Sequence, residues 1–163
     1  MAAPPLSEPE LQFLRALERT NVRFMVVGLS AAALQGAPVV TQDVDLWFED
    51  LSDPAILEAA REVGAAYVPP TASTPPMFAG GGIELFDIVL TLDGLGTFDE
   101  EFREALEISF GGDRINILPL ERILVSKRAA NRAKDRLVIP VLEDVLKVNK
   151  ATQKRSLDEA SES

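Results

Sequence analysis

The sequence predicts an α/β or α+β domain built around one sheet, and three observations carry that prediction. Short apolar runs at Phe24–Val27, Val44–Phe48 and Ile83–Leu92 read as strands. Segments with helical apolar spacing and capping residues lie between and around them. The 163 residues, 47% of them hydrophobic, suffice for one core, because a chain of this size buries roughly 70% of its unfolded surface.

Residues 1–7 form a Pro-rich lead, 8–149 the folded domain and 150–163 a polar tail expected to be flexible and to fray. Leu11, Phe13, Leu14 and Leu17 recur near the helical period across Glu8–Arg19, with Ser7 placed as N-cap. Phe24–Val27 follows as a buried strand and stops at Gly28. Ser30–Gln35 is Ala-rich and predicts a short helix closed by Gly36. In the second strand Val44, Leu46 and Phe48 share one face, while Asp43, Asp45 and Trp47 share the other. Asp53-Pro54 predicts an N-cap and first residue of a helix reaching about Val63.

Pro69–Gly82 holds four prolines and three glycines and reads as a long loop. Ile83–Leu92 is the third strand. Thr97 and Glu100 match a capping box, which predicts a helix over Phe98–Leu106. Ile108–Phe110 and Ile115–Leu118 flank Gly111-Gly112-Asp113 as a hairpin. Pro119 opens a helix carrying Leu120, Ile123, Leu124 and Lys127. A last helix is predicted over Asp135–Val148, with Pro140 in its first turn or at a kink. Arg132 and Lys134 are read as cations near a helix C-terminus, where the dipole accounts for them.

Sixteen basic against 26 acidic residues leave a net charge of −10, which disfavours nonspecific nucleic-acid binding through phosphates. The chain has no histidine and no cysteine. Imidazole catalysis, thiol nucleophiles and His- or Cys-ligated zinc are therefore excluded. Any metal must bind through oxygen, which selects a hard cation such as magnesium, manganese or calcium. No apolar run is long enough to span a bilayer and no leader pattern is visible, so a soluble cytoplasmic protein is expected.

The segment that carries chemistry runs from Val27 to Phe48. Asp43 and Asp45, two apart on one strand, project the same way with side-chain bases ~7 Å apart. That spacing suits joint ligation of divalent cations at a phosphoryl-transfer site. The turn at Gly28-Leu29-Ser30 allows backbone to approach a ligand, and the helix that follows favours phosphate at its N-terminus. Asp87 lies in an otherwise apolar strand between Phe86 and Ile88, where an unpaired charge is costly. If its strand neighbours that of Asp43 and Asp45, the three converge. Asp87 is then placed to ligate a metal and to take the proton of an attacking hydroxyl. The plainer readings are a solvated Asp-x-Asp, an Asp87 ion pair with Lys127 or an arginine, and Trp47 packed in the core.

Gly28 with its short helix, then Asp43-x-Asp45 and the later Asp87, resembles the nucleotidyltransferase superfamily. The likeness is to its minimal bacterial members and its abortive-infection or toxin–antitoxin type. It extends through Leu118–Lys127 and Asn131-Arg132-Ala133-Lys134-Asp135, similar to the family's lysine-bearing helix and Arg-x-Lys-Asp junction. The resemblance implies a single-domain nucleotidyltransferase fold, a mixed sheet flanked by helices. It further implies Asp43 and Asp45 as magnesium (or manganese) ligands and Asp87 as third ligand or base. Gly28 and Ser30 would line the phosphates and Lys127 would reach one. The implied activity moves a nucleoside monophosphate from an NTP such as ATP to a hydroxyl acceptor: a protein, an RNA end or a small molecule.

The chain departs from that pattern at Leu29, where the family has a second glycine or serine, and at Val39, where several relatives carry a basic residue. Leu29 favours the alternative expectation, an inactive, antitoxin-like interaction module with a protein partner. The complete carboxylate set favours the enzyme.

Overall fold

The structure, a computed structural model, describes residues 6–110 and 112–162. Residues 1–5 of the Pro-rich lead, Gly111 of the hairpin turn and Ser163 of the tail lie outside the described residues. Helix α1 (Glu8–Arg19) starts at Ser7, whose hydroxyl accepts from Glu10 N while the Glu10 carboxylate accepts from Ser7 N. This reciprocal box satisfies two of the amides a helix start leaves open. Strand β1 (Phe24–Val27) is buried throughout and runs directly into α2 (Gly28–Leu34). Strand β2 (Val44–Phe48) and helix α3 (Pro54–Glu62), capped by Asp53, lie where the sequence places them.

The stretch read as one loop contains a strand. Strands β3 (Ala65–Val68) and β4 (Met77–Gly80) pair antiparallel, and only residues 69–76 between them are irregular. The four prolines sit in that connection, where no ladder amide is needed. Strand β5 (Phe86–Val89) is shorter than predicted. Helix α4 (Phe98–Phe102) is also short, because Leu106 already begins β6 (Leu106–Phe110), the hairpin partner of β7 (Asp113–Ile117).

Helix α5 (Leu120–Ala130) has Pro119 at its N-cap, which offers no capping side chain. Gln35 substitutes: its amide oxygen accepts from Leu120 N at 3.0 Å and its nitrogen donates to Leu118 O at 2.9 Å. Helix α6 runs from Ala133 to Glu162, with Pro140 well inside it rather than in the first turn. The segment from 150, expected as a flexible tail, is the exposed end of this helix. It contains no glycine or proline, so an already nucleated helix propagates through it.

The seven strands form one mixed sheet in the order β3-β4-β5-β2-β1-β7-β6. The pairs β2–β5 and β1–β7 are parallel and the other pairs antiparallel. On one face Phe13 of α1 meets Phe78 and Phe86 at centroid distances of 4.9 and 5.5 Å. On the other, Trp47 packs edge-on against Phe98 of α4, which assigns it to the core. Among the described residues no helix is long and apolar enough to cross a membrane.

Candidate active site

The sheet register brings the predicted carboxylates together. Val27 pairs with Asp45 on β1–β2, Asp45 with Asp87 on β2–β5, and Asp87 with Met77 on β5–β4. Neighbouring strands lie about 4.8 Å apart, so Asp45 and Asp87 are adjacent on one face. Asp43 immediately precedes β2 and, by alternation, projects to the same face. Asp43, Asp45 and Asp87 all line one cavity of about 270 Å³, with Leu29, Lys127 and Lys134 also in its wall.

This crowding shows in the titration of the carboxyls. Burial, the neighbouring Asp87 and, more weakly, Asp43 push Asp45 up from 3.8 to about 6, although Lys127 and Lys134 pull it back. Asp87 is also raised, by partial burial and by Asp43. Anions that repel one another across an oxygen-only donor set fit a hard divalent cation, which relieves the repulsion. As the side chains stand, no group of three acidic residues among the described residues encloses an ion position. The three carboxylates share a cavity but do not form a closed cage.

Gly28 has φ +65°, and a side chain there would run into Asp45 Oδ2. The turn is a glycine because the carboxylate lies against it. Ser30 does something other than line phosphates. It is fully buried, its hydroxyl donates to Val27 O at 2.8 Å and accepts from Asp45 N at 3.1 Å. The hydroxyl thereby ties the start of α2 to β2 and fixes the backbone that carries Asp45. Ser30→Ala leaves both buried partners short of a bond and is expected to destabilise the fold by about 1–3 kcal/mol. Thermal denaturation checks this; an unchanged Tm would remove Ser30 from the scaffold of the site.

Lys127 is where the sequence puts it, on α5, facing the carboxylates and 16% exposed, with Nζ 3.4 Å from Asp135 Oδ1. Asp135 is the residue sequence reasoning missed. It is 1% exposed and accepts from Arg132 N at 3.1 Å and Arg132 Nε at 2.7 Å. Burial pushes its carboxyl up, but the Arg132 bonds and the Lys127 charge outweigh this and hold it below the ordinary range. The dipole reading holds for the position of Arg132, next to the C-cap of α5, but is corrected for Lys134. Asn131, at φ +50°, closes α5, and α6 begins at Ala133, so Lys134 stands in the first turn of a helix. A cation there opposes the helix dipole; its compensation is the field of Asp45 across the cavity. The available signal was Asn131 itself, a residue type suited to the left-handed helix end. Val39 packs half-buried against the core, and Leu29 occupies the wall of the acidic cavity.

A second cavity, of about 310 Å³, also has Asp45 in its wall. It shares Asp45, Lys127 and Lys134 with the first and adds Gly28, Asp93 and Arg132.

Comparisons with known proteins identify a family and a shared fold. A family model described as nucleotidyl transferase of unknown function (DUF2204) matches residues 8–162. Two solved structures share the fold. One is the crystal structure of ANT(2″)-Ia in complex with adenylyl-2″-tobramycin, 15% identical, with a TM-score of 0.58 over 94% of this chain and 96% of that one. The other is the solution structure of the antibiotic-resistance factor ANT(2″)-Ia, 16% identical, with a TM-score of 0.56 over 94% of each chain. No curated protein matches the chain by sequence.

Proposed function

Since the chain belongs to this family of nucleotidyl transferases, we propose that it transfers a nucleoside monophosphate from an NTP to a hydroxyl acceptor, with magnesium or manganese held by Asp43, Asp45 and Asp87. The observation that carries the reading is the register that sets Asp45 beside Asp87 while Gly28 abuts Asp45. A divalent cation bound there supplies neutralisation of the charge that develops on the phosphates. Asp87 accepts the proton of the acceptor hydroxyl; its raised affinity for a proton suits a base. The acceptor oxygen bonds to the α-phosphorus, the bond from that phosphorus to the bridging oxygen breaks, and pyrophosphate leaves. Lys127 and Lys134 hold the phosphates, Gly28 lets them approach the backbone, and Ser30 positions Asp45 from behind. Asp135 orients Lys127.

The acceptor we favour is a small polyhydroxyl molecule bearing positive charge. The adenylylated tobramycin in the ANT(2″)-Ia crystal structure supports that class, as does the chain's charge of −10. The cytoplasm, where NTPs are abundant, is the compartment this activity requires. Leu29 in the wall of the acidic cavity favours a second reading, an antitoxin-like module that keeps the fold but binds a protein partner without transfer.

Calorimetry with ATP, CTP, GTP and UTP, with and without magnesium, separates the two, followed by transfer of labelled nucleotide to candidate acceptors. The enzyme reading expects magnesium-dependent NTP binding and a labelled product. Absence of nucleotide binding in both the parent and Leu29→Gly would overturn it in favour of the module.

A further inference from the structure

We infer that the outward side of α6 is a self-association surface, on which two copies of this chain pair antiparallel. The inference stands apart from the nucleotidyl-transfer reading. Early in α6 the helix is held by the domain: Leu142 is fully buried, and Val145 and Leu146 pack against the core. From 147 to 162 every residue is exposed, although the segment remains helical. A helix exposed on all sides gains none of the tertiary packing that supplies most helix stability in proteins.

The outward side is patterned for a partner helix. Val141, Asp144, Val148, Ala151, Arg155 and Asp158 follow one another at alternating steps of three and four residues, the spacing of a seam between paired helices. The stripe points away from the domain, because Asp144 lies roughly 200° around the helix from the buried Leu142. Val148 on it is 62% exposed, and Asp144, Ala151 and Arg155 are exposed as well. Pro140, where the helix lacks one internal bond, lies upstream of the stripe and leaves its phase intact.

Charge complementarity selects a second copy as the occupant. In an antiparallel pair the register that sets Val148 against Ala151 of the second copy also sets Asp144 against Arg155 of the second copy. Two-fold symmetry repeats both contacts, so two apolar layers are closed at each end by an ion pair. Among the described residues the side chains of Asp144 and Arg155 are in no ion pair, whereas the neighbouring Glu143 is bound by Arg128 at 3.5 Å. A parallel pair would instead set Arg155 against Arg155 and Asp158 against Asp158. One cost remains in the antiparallel pair: Lys147 and Lys154 flank the stripe on the same side, so lysines of the two copies meet there. Such charges fix orientation and register more than they add affinity. The seam is short, so the dimer is a weak one, with a dissociation constant on the order of 10 μM.

The test is sedimentation equilibrium of the full chain, without nucleotide or metal, from about 1 to 300 μM. The parent is expected to pass from monomer to dimer across that range. Asp144→Arg and Arg155→Asp each set like charges opposite one another twice, and each should weaken association about tenfold or more. The double variant restores opposite charges and should return to within about threefold of the parent. Lys147→Glu, which would meet Lys154 of the second copy, should tighten the dimer. All four variants should keep the parent's Tm at concentrations where the parent is monomeric, because the altered side chains are exposed. A parent that stays monomeric overturns the inference, whatever other protein binds the helix. Association that neither single reversal weakens, or that the double reversal does not restore, overturns it too, since another surface then carries the contact. A Lys147→Glu variant that dissociates more readily than the parent overturns the antiparallel register.

Discussion

Asp45→Asn is expected to lower nucleotidyl transfer by on the order of 10³-fold or more, while raising the Tm of the metal-free protein at neutral pH. On the proposed function the loss follows from removing a charged ligand of the cation that would neutralise the phosphates, an effect comparable to losing a principal electrostatic stabiliser of the transition state. The gain in Tm follows from burial and the neighbouring Asp87, which push the Asp45 carboxyl from 3.8 to about 6. Below about pH 4 the group is protonated in folded and unfolded chains alike and opposes nothing. Between about pH 4 and 6 the unfolded chain ionises first, so folding loses stability as pH rises, and above 6 the penalty is complete. Its size is roughly 2 kcal/mol once solvent screening at this half-buried side chain is allowed for. The parent without metal should therefore gain stability on acidification from pH 7 to 5 relative to Asp45→Asn, and magnesium should stabilise only the parent. Melting curves across that range and a labelled-nucleotide assay check both halves. Transfer within tenfold of the parent would remove Asp45 from the site.

Gly28→Ala should be nearly as damaging, by a different route. The backbone there has φ +65°, and the added methyl group would collide with Asp45 Oδ2. The left-handed backbone alone costs about 1–2 kcal/mol for a residue with a Cβ. The collision adds a displacement of the carboxylate, and a shift of the order of 1 Å in a reacting constellation can reduce rate about 10²-fold. Gly36→Ala is the control: its φ is +94°, yet nothing lies within 4 Å of the added Cβ. Both variants should melt lower than the parent, but only Gly28→Ala should lose transfer. If the two lose transfer equally, the close approach of turn and carboxylate has no catalytic meaning.

By itself the sequence determined the elements whose signals are local. Ser7 and Asp53 as caps, the buried run Phe24–Val27 and the alternation of Val44–Phe48 all stand in the structure as read. The absence of histidine and cysteine had already restricted any metal to oxygen ligands. Asp43, Asp45 and Asp87 were legible because charges in or beside apolar strands stand out against their neighbours. Strands β3 and β4 were not, since four prolines and three glycines mask two four-residue strands whose pairing partners are supplied by the sheet. Helix α4 was read too long because Leu106 joins β6, a pairing decided by β7 and not by the cap at Thr97. Only the tertiary structure decided that Asp45 and Asp87 are adjacent, for that rests on parallel pairing of strands some 40 residues apart. It also turned Ser30 inward to hold Asp45 N, and set Lys134 at a helix start facing a carboxylate. Spacing along the chain reports which side chains share a face; which faces meet is set by register and packing between distant segments, where the site is assembled.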